Sequence, residues 1–177
     1  PASEQVWSQN YNLEIFRPAR LLRNRMEAGK LGRKTGNGFY RYPDGRQEVS
    51  EEAAAPDYDG RPVWLAPMPQ TTASDVAGLL RDLGAKLNDA RSPSEEDIIL
   101  VSPVGGDVSL TCAAHKLNAK QAIGIDGLFG LRTRRTLMRS PVTDNRIAES
   151  ALGLFSSDSG TGTLVRASAG FVGQRVI

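Results

Sequence analysis

The stretch DIILVSPVGGDVSLTCAAHKLNAKQAIGID, residues 97–126, alternates two apolar runs with an amphipathic segment. The apolar runs predict strands over residues 97–103 and 121–126, and the segment between them predicts a helix over residues 107–118. Two consecutive strands that are joined through a helix pair in parallel, because the chain must cross back before it can run in the same direction. This stretch therefore indicates a parallel α/β sheet.

The same alternation extends to both sides of this stretch. Before it, residues 63–66 predict a strand and residues 73–85 a helix that is capped by Ser74. After it, the pattern predicts strands over residues 135–141 and 162–168, with a helix over residues 144–157 between them. The predicted fold class is α/β, with a reduced Rossmann-like and mostly parallel sheet domain over residues 63–168.

The first fifty residues follow a different pattern. Apolar residues at near-helical spacing predict two helices, the second opened by Pro18 and ended by Gly29. The run GFYRYPDGRQEV, residues 38–49, alternates around a Pro-Asp-Gly turn and predicts a short hairpin. Residues 50–62 lack periodicity, so we expect a short helical segment with a hairpin over residues 1–49, followed by a linker over residues 50–62.

Composition excludes several classes of protein. Cys112 is the one cysteine and His115 the one histidine among 177 residues, so neither an internal disulfide nor a zinc cluster of the usual spacing can form. No apolar run approaches the roughly 20 residues of a membrane helix, and residues 1–9 lack the features of a signal peptide. We expect a cytoplasmic protein that binds no metal and no membrane.

Positive charge is concentrated in residues 17–34, where seven basic side chains face one acidic side chain, a net +6. Such a block could be a solvated surface, a nucleic-acid patch or a contact for an anionic cofactor. Stacking aromatic residues are not interleaved with these charges, which disfavours nucleic acid as a partner.

The turn after the first strand does not fit a bound dinucleotide. A Rossmann domain places glycines there so that backbone amides reach the pyrophosphate, whereas residues 66–74, APMPQTTAS, contain two prolines and no glycine. Asp89 stands near the position of the ribose-binding acid, but without a glycine-rich turn after the first strand this position does not indicate a dinucleotide site. Gly105 and Gly106 before the next helix are a weaker candidate for an anion site, and an ordinary strand-to-helix turn explains them as well. We therefore expect no cofactor to bind this segment.

No catalytic residue can be assigned from the chemistry of the side chains. His115 lies toward the end of a predicted helix, three residues after Cys112, and no nucleophile motif points at it. Asp126, at the end of a strand, has the best position for a site in an open α/β sheet, yet the sequence identifies no partner for it.

The stretch RPARLLRNRMEAGKLGRKTGNGFYRYPDG, residues 17–45, resembles the C-terminal end of the substrate domain of the 3-hydroxyacyl-CoA dehydrogenase family. The resemblance assigns residues 1–49 to that domain, which is helical, forms much of the dimer contact and helps to enclose the acyl-CoA. It also implies that the NAD-binding domain with the catalytic His and Glu lies upstream.

Residues 63–177 resemble the reduced Rossmann domain of long, duplicated members of this family. The runs RTLMRSPVTDNRIAESALGLF and LVRASAGFVGQRV are similar to the end of the dinucleotide domain and its junction with the next helical domain, so residues 169–177 would begin that following domain and be cut off there. Ala169 replaces the family's proline, and Gln174 stands where the family carries its catalytic asparagine. Residues 131–138 offer no counterpart to the family's catalytic histidine, which implies a domain that has kept the fold and lost the chemistry.

The resemblance implies an internal segment of an NAD-dependent enzyme that oxidises 3-hydroxyacyl-CoA to 3-oxoacyl-CoA in fatty-acid or aromatic-acid degradation. The segment alone is expected to be inactive, and the parent to be a homo-oligomer. In the alternative, the segment is a structural, dimerisation or CoA-docking module without chemistry, in which Lys30, Arg33 and Lys34 contact the CoA phosphates.

Overall fold

The structure is a computed structural model that describes residues 2–48 and 54–176. The chain divides into two compact units, unit 1 (Pro1–Ala53) and unit 2 (Ala54–Ile177). The last residue of the predicted hairpin, residue 49, and the first part of the predicted linker, residues 50–53, lie outside the described residues.

Unit 1 contains two short helices, α1 (Ala2–Gln9) and α2 (Arg20–Glu27). Pro18 lies two residues before α2, and Gly29 follows it with a φ of 68°, a left-handed conformation that glycine adopts without strain. Gly29 thus ends the second helix as predicted, whereas the helix begins at Arg20, with Ala19 rather than Pro18 at its N-cap.

The predicted hairpin is present only in reduced form. Isolated bridges pair Asn37 with Gly32 and with Arg41, and the backbone N–H of Glu48 donates to the carbonyl of Arg41 at 2.9 Å. A 3-10 turn, Pro43–Gly45, reverses the chain. Its proline has no N–H, and Asp44 has a φ of 53°, so the chain leaves the extended conformation that a strand ladder requires.

The described part of unit 2 forms one five-stranded sheet in the order β1 to β5. The strands are β1 (Val63–Leu65), β2 (Ile98–Val101), β3 (Ala122–Ile125), β4 (Arg134–Arg139) and β5 (Thr161–Arg166). All neighbouring strands are parallel except β3 and β4. Three helices connect them, α3 (Gln70–Asp82), α4 (Val108–His115) and α5 (Asn145–Leu154). The predicted α/β, Rossmann-like and mostly parallel architecture is confirmed.

The direction in which the sheet grows reverses at β1. After α3 the chain forms a parallel bridge between Leu87 and Val63, and it then reaches β2 on the other side of β1. Val76 and Leu80 of α3 accordingly pack on one face of the sheet, while α4 packs on the opposite face. This reversal is the topological switch point of a doubly wound sheet, beside which such folds bind ligands at the carboxyl ends of the strands.

Helix α3 begins three residues earlier than the sequence pattern predicts. Pro69 occupies the position before its first turn with a φ of −53°, and Ser74 lies inside the helix rather than at its cap. The fixed φ of proline favours this early start, because it pre-sets the chain to enter a helix.

The boundaries of unit 2 are wider than the predicted domain of residues 63–168. Ser150 of α5 is hydrogen bonded to Asp59 at 2.5 Å, and the backbone of residues 56–58 lies so close to Gly153 that a Cβ there would collide with it. Residues 54–62, which lie in the predicted linker, thus belong to unit 2 in the structure. Phe171 is fully buried in the core under α4, so residues 169–176 also pack within unit 2, and only a 3-10 turn, Gly173–Arg175, forms there.

A buried arginine joins β4 to the loop that precedes β5. The guanidinium of Arg135 forms two hydrogen bonds with the carboxylate of Asp158, at 2.6 and 2.8 Å, and donates to the carbonyls of Leu131 and Phe155 at 3.0 Å each. It holds the pKa of Asp158 at about 2, below the ordinary value of 3.8. This paired charge fixes the outer part of the sheet.

Candidate functional site

The basic loop of unit 1 is shaped by glycines. Arg33 and Lys34 lie in a 3-10 turn, Arg33–Thr35, between two glycines of positive φ. A Cβ on Gly38 would lie 2.6 Å from the Cα of Gly32, so the two ends of the loop touch through their backbones and only glycine fits at residue 38. The glycines therefore serve the loop's geometry, and no strand and helix flank it as they would a phosphate-binding loop.

Part of the positive charge in residues 17–34 supports unit 1 itself. Arg25 stacks on the ring of Phe39 at 4.3 Å and donates to the carbonyl of Gly38, which holds the loop against α2. Arg33 lies over the ring of Tyr42 at 5.8 Å. Two more arginines, Arg17 and Arg23, pair with Glu14 and Glu4 at 3.0 and 3.2 Å. A role for Arg25 as an internal brace was not visible from the sequence.

A cleft of about 480 Å³ lies between α2 and this loop. Its walls are mainly apolar and include Leu22, Met26 and Phe39, and Lys30 stands at its edge. Arg33 and Lys34 are exposed but do not line the cleft. Of the three predicted CoA-phosphate contacts, the structure thus places Lys30 at an apolar cleft and the other two on the neighbouring turn.

The carboxyl edge of the sheet in unit 2 is occupied by Gln174. The carboxylate oxygen Oδ1 of Asp126, a residue only 4% exposed, accepts from Gln174 Nε2 at 3.1 Å and from the backbone N–H of Leu128 at 3.2 Å. Gln174 Oε1 in turn accepts from the backbone N–H of Gly105 at 3.1 Å. Asp126 therefore has a partner 48 residues away, which no local pattern in the sequence could indicate.

The crevice beside the switch point is closed as well. Thr72 and the hydroxyl of Ser102 lie against Gly127, where a Cβ would be 2.7 Å from Ser102 Oγ. The backbone N–H of Gly170 donates to the carbonyl of Gly106 at 2.9 Å. Gly170 and Gln174 thus contact the Gly105–Gly106 turn, the weaker anion candidate, although Gly105 itself is exposed.

These residues do not fit a dinucleotide. Pro67 and Pro69 remove two amide donors from the turn after β1, and the N–H of Ala66 is already bonded to Leu100. At the start of α4 the carboxylate of Asp107 accepts from the N–H of Leu110 at 2.9 Å, which places negative charge where a phosphate would bind. No step of chemistry through NAD can be derived for unit 2.

The cysteine and the histidine do not form a catalytic pair. Cys112 is 1% exposed, and burial together with the nearby Asp107 raises its pKa to about 11, so the thiol stays protonated at neutral pH. His115 is exposed at the end of α4. A thiol in this state is a core side chain rather than a nucleophile.

The described ranges 2–48 and 54–176 contain neither a metal-binding cluster nor a membrane-spanning helix. No group of three or more His, Cys, Asp or Glu side chains there could hold a metal ion. No helix in the same ranges is long and apolar enough to cross a membrane.

Unit 2 is thus a Rossmann-like α/β domain in which Gln174 of the same chain occupies the carboxyl edge of the sheet. The family model described as 3-hydroxyacyl-CoA dehydrogenase, C-terminal domain, matches residues 2–42. The resemblance to this family is confirmed there, in the segment where the sequence indicated it.

Among the similar solved structures, one shares the fold at low sequence identity. The crystal structure of 3-hydroxybutyryl-CoA dehydrogenase from Escherichia coli is 14% identical with a TM-score of 0.53, and the match covers 98% of this chain and 31% of that chain. An NAD+-dependent dismutase, 5-formyl-3-hydroxy-2-methylpyridine 4-carboxylic acid 5-dehydrogenase, is 13% identical with a TM-score of 0.43 over 65% of this chain and 35% of that one. No curated protein matches the chain. The chain spans about a third of the length of these structures.

Proposed function

We propose that the chain is a segment of an NAD-dependent 3-hydroxyacyl-CoA dehydrogenase that oxidises 3-hydroxyacyl-CoA to 3-oxoacyl-CoA. The observation that carries this proposal is the match of residues 2–42 to the C-terminal domain of that family. The fold of unit 2 is compatible with it, since a dinucleotide-type sheet is the architecture that such enzymes use. Cofactor binding and catalysis would then belong to other parts of the parent protein.

Within that parent, unit 2 has a structural role. Its ligand edge is occupied by Gln174, and Pro67 and Pro69 remove two amide donors from the turn after β1. Its buried thiol is protonated and its histidine is exposed on a helix end. The segment therefore keeps the fold of a dinucleotide domain without a site for its chemistry.

Two measurements test whether catalysis belongs to other parts of the parent protein and whether unit 2 has only a structural role. The purified 177-residue chain should give no NADH with 3-hydroxybutyryl-CoA and no heat on titration with NAD. The natural protein that contains the chain should oxidise 3-hydroxyacyl-CoA thioesters. Turnover by the chain alone would overturn the structural role of unit 2, whereas an inactive parent protein, folded and loaded with NAD, would overturn the enzyme assignment.

A second candidate function is docking of CoA by unit 1. It is favoured by the position of Lys30 at an apolar cleft, with exposed Arg33 and Lys34 on the adjoining turn. Ammonium and guanidinium groups bind phosphate, and the apolar walls suit the pantetheine arm. The chain would then bind CoA more tightly than pantetheine, which carries no phosphate.

Charge reversal separates this function from a solvated surface. Lys30→Glu, and the double variant Arg33→Glu with Lys34→Glu, should each weaken binding of CoA in a calorimetric titration, while Arg46→Glu serves as the matched control on an exposed arginine of the same unit. CoA binding that is equally sensitive to all of these changes, or no binding by the wild-type chain, would exclude a specific site.

We also propose that the parent assembles as a homo-oligomer through unit 1. Helices α1 and α2 bury no residue, and large apolar side chains nearby are exposed, including Tyr11 at 92% and Ile15 at 84%. Exposed apolar surface of this kind marks an interaction site. Sedimentation of the parent protein should show a dimer or larger species that Ile15→Glu weakens, and a strictly monomeric parent would contradict this.

A further inference from the structure

The side chain of Gln174 is held in the way that proteins hold a small ligand. Its amide nitrogen donates to the carboxylate of Asp126 at 3.1 Å and lies 3.4 Å from the carbonyl of Pro103. Its carbonyl oxygen accepts from the N–H of Gly105 at 3.1 Å. An ionised carboxylate can only accept and a backbone N–H can only donate, so this pair of groups complements a primary carboxamide, which offers both on one carbon.

The two groups that face Gln174 belong to a formed site. Asp126 is 96% buried, directly follows β3 and is oriented by the N–H of Leu128. Gly105 lies between β2 and α4 with a φ of 68°, which aims its N–H across the gap. Both groups stand at the carboxyl ends of parallel strands, the edge at which open α/β sheets bind ligands.

The side chain of Gln174 can leave this position without unfolding of the segment that carries it. Residues 170 and 171 are fixed separately, by the bond of Gly170 to Gly106 and by the burial of Phe171. Gln174 itself is half-buried, so rotation of its side chain toward solvent would open the site while Phe171 stays in the core.

We propose that Asp126 and the N–H of Gly105 form a binding site for primary carboxamides and that Gln174 fills this site as an internal ligand. A carboxylate ligand would be repelled by Asp126, and a ketone would offer Asp126 no N–H, which leaves the N–H of Leu128 as the remaining donor to that carboxylate. Selectivity for the carboxamide over both of these shapes therefore distinguishes a recognition site from a space that any small molecule can fill.

The direct test removes the side-chain amide of Gln174 by mutation and supplies the same atoms as a free small molecule. Gln174→Ala deletes the atoms of acetamide, and acetamide added to the variant 177-residue chain should shift the amide resonance of Gly105 in a saturable way. At ten times its dissociation constant, acetamide should raise the folding equilibrium constant of unit 2 about elevenfold by mass action. Acetate and acetone, which match its shape, should do neither.

The control variant is Gln47→Ala, which removes the same group from an exposed position and should show no response to acetamide. Equal shifts with acetamide, acetate and acetone, or no shift at Gly105 in a folded Gln174→Ala chain, would overturn the proposal.

A second variant keeps the proposal testable if the alanine variant does not fold. Gln174→Met retains most of the volume and removes both polar groups, so the N–H of Gly105 loses its acceptor. Its hydrogen exchange should become roughly tenfold faster, as expected when one hydrogen bond is lost. Unchanged protection of Gly105 in this variant would also overturn the proposal.

Discussion

Replacing Arg135 with Met should lower the free energy of unfolding of unit 2 by about 3 kcal/mol. The guanidinium has 2% side-chain exposure and donates to the carbonyls of Leu131 and Phe155, each bond contributing about 1 kcal/mol. Its pair with Asp158 adds only about 1 kcal/mol, because that carboxylate is 43% exposed and screened by water. Methionine keeps the apolar volume of the arginine stem, so the loss reports the polar contacts.

Fluorescence can follow the unfolding of unit 2 alone. The chain has two tryptophans, Trp7 in unit 1 and Trp64 in β1, so a Trp7→Phe background leaves a reporter only in the sheet. Urea unfolding of Arg135→Met would be compared with Arg132→Met, an exposed arginine three residues earlier that should change stability by less than about 0.5 kcal/mol. An equally small effect of Arg135→Met would refute the view that the buried guanidinium stabilises the sheet.

Three other outcomes are expected. Hydrogen bonds from Arg61 hold the pKa of Asp59 at about 2, and hydrogen bonds from Arg135 do the same for Asp158, against an ordinary value of 3.8. Each pair therefore stabilises the fold fully above about pH 4, and this stabilisation is lost as the pH falls toward 2. Urea unfolding should show a loss of about 1 kcal/mol for each after allowance for screening, and Arg135→Met should abolish the part due to Asp158; a stability that does not change over this range would contradict the pairing. Gly38→Ala should destabilise unit 1 by about 1–3 kcal/mol, because the Cβ of the alanine meets the backbone of residue 32. Trp7 fluorescence would follow the unfolding of unit 1, and an unchanged unfolding midpoint would refute the close approach. Cys112 should react with a thiol reagent near neutral pH only as fast as the chain opens, and rapid labelling of the folded chain would contradict its burial and raised pKa.

The sheet could be predicted because its strands carry their own signal. All four residues of β2 and all four residues of β3 are buried, and a fully buried strand appears in sequence as a short apolar run between turn residues. The sequence pattern does not predict the parallel bridge between Leu87 and Val63, because this bridge lacks such an apolar run. It involves a single residue pair within a polar stretch, so neither length nor periodicity marks it.

The chemistry of the candidate sites was easier to predict than their contacts. The sequence indicated Asp126 because it ends a strand, and it indicated Gln174 because this residue departs from a family pattern. Only the folded chain brings the two side chains within 3.1 Å of each other. Similarly, Lys30, Arg33 and Lys34 form one basic group in sequence, whereas in the structure Lys30 lies at the cleft and the turn after Gly32 carries the other two outside its lining. Contacts between distant residues and side-chain directions in turns depend on tertiary structure, which local patterns do not encode.

The contact between Gly32 and Gly38 restricts the length of this loop more than its side chains. Because two backbones touch at its neck, adding or deleting one residue between them would break the contact, while the exposed residues of the turn tolerate change. Among natural variants of this protein, a constant spacing of the two glycines with varied residues at positions 33 and 34 would indicate selection for shape alone. Retention of positive charge at those positions as well would indicate that the loop has been kept for an anionic ligand.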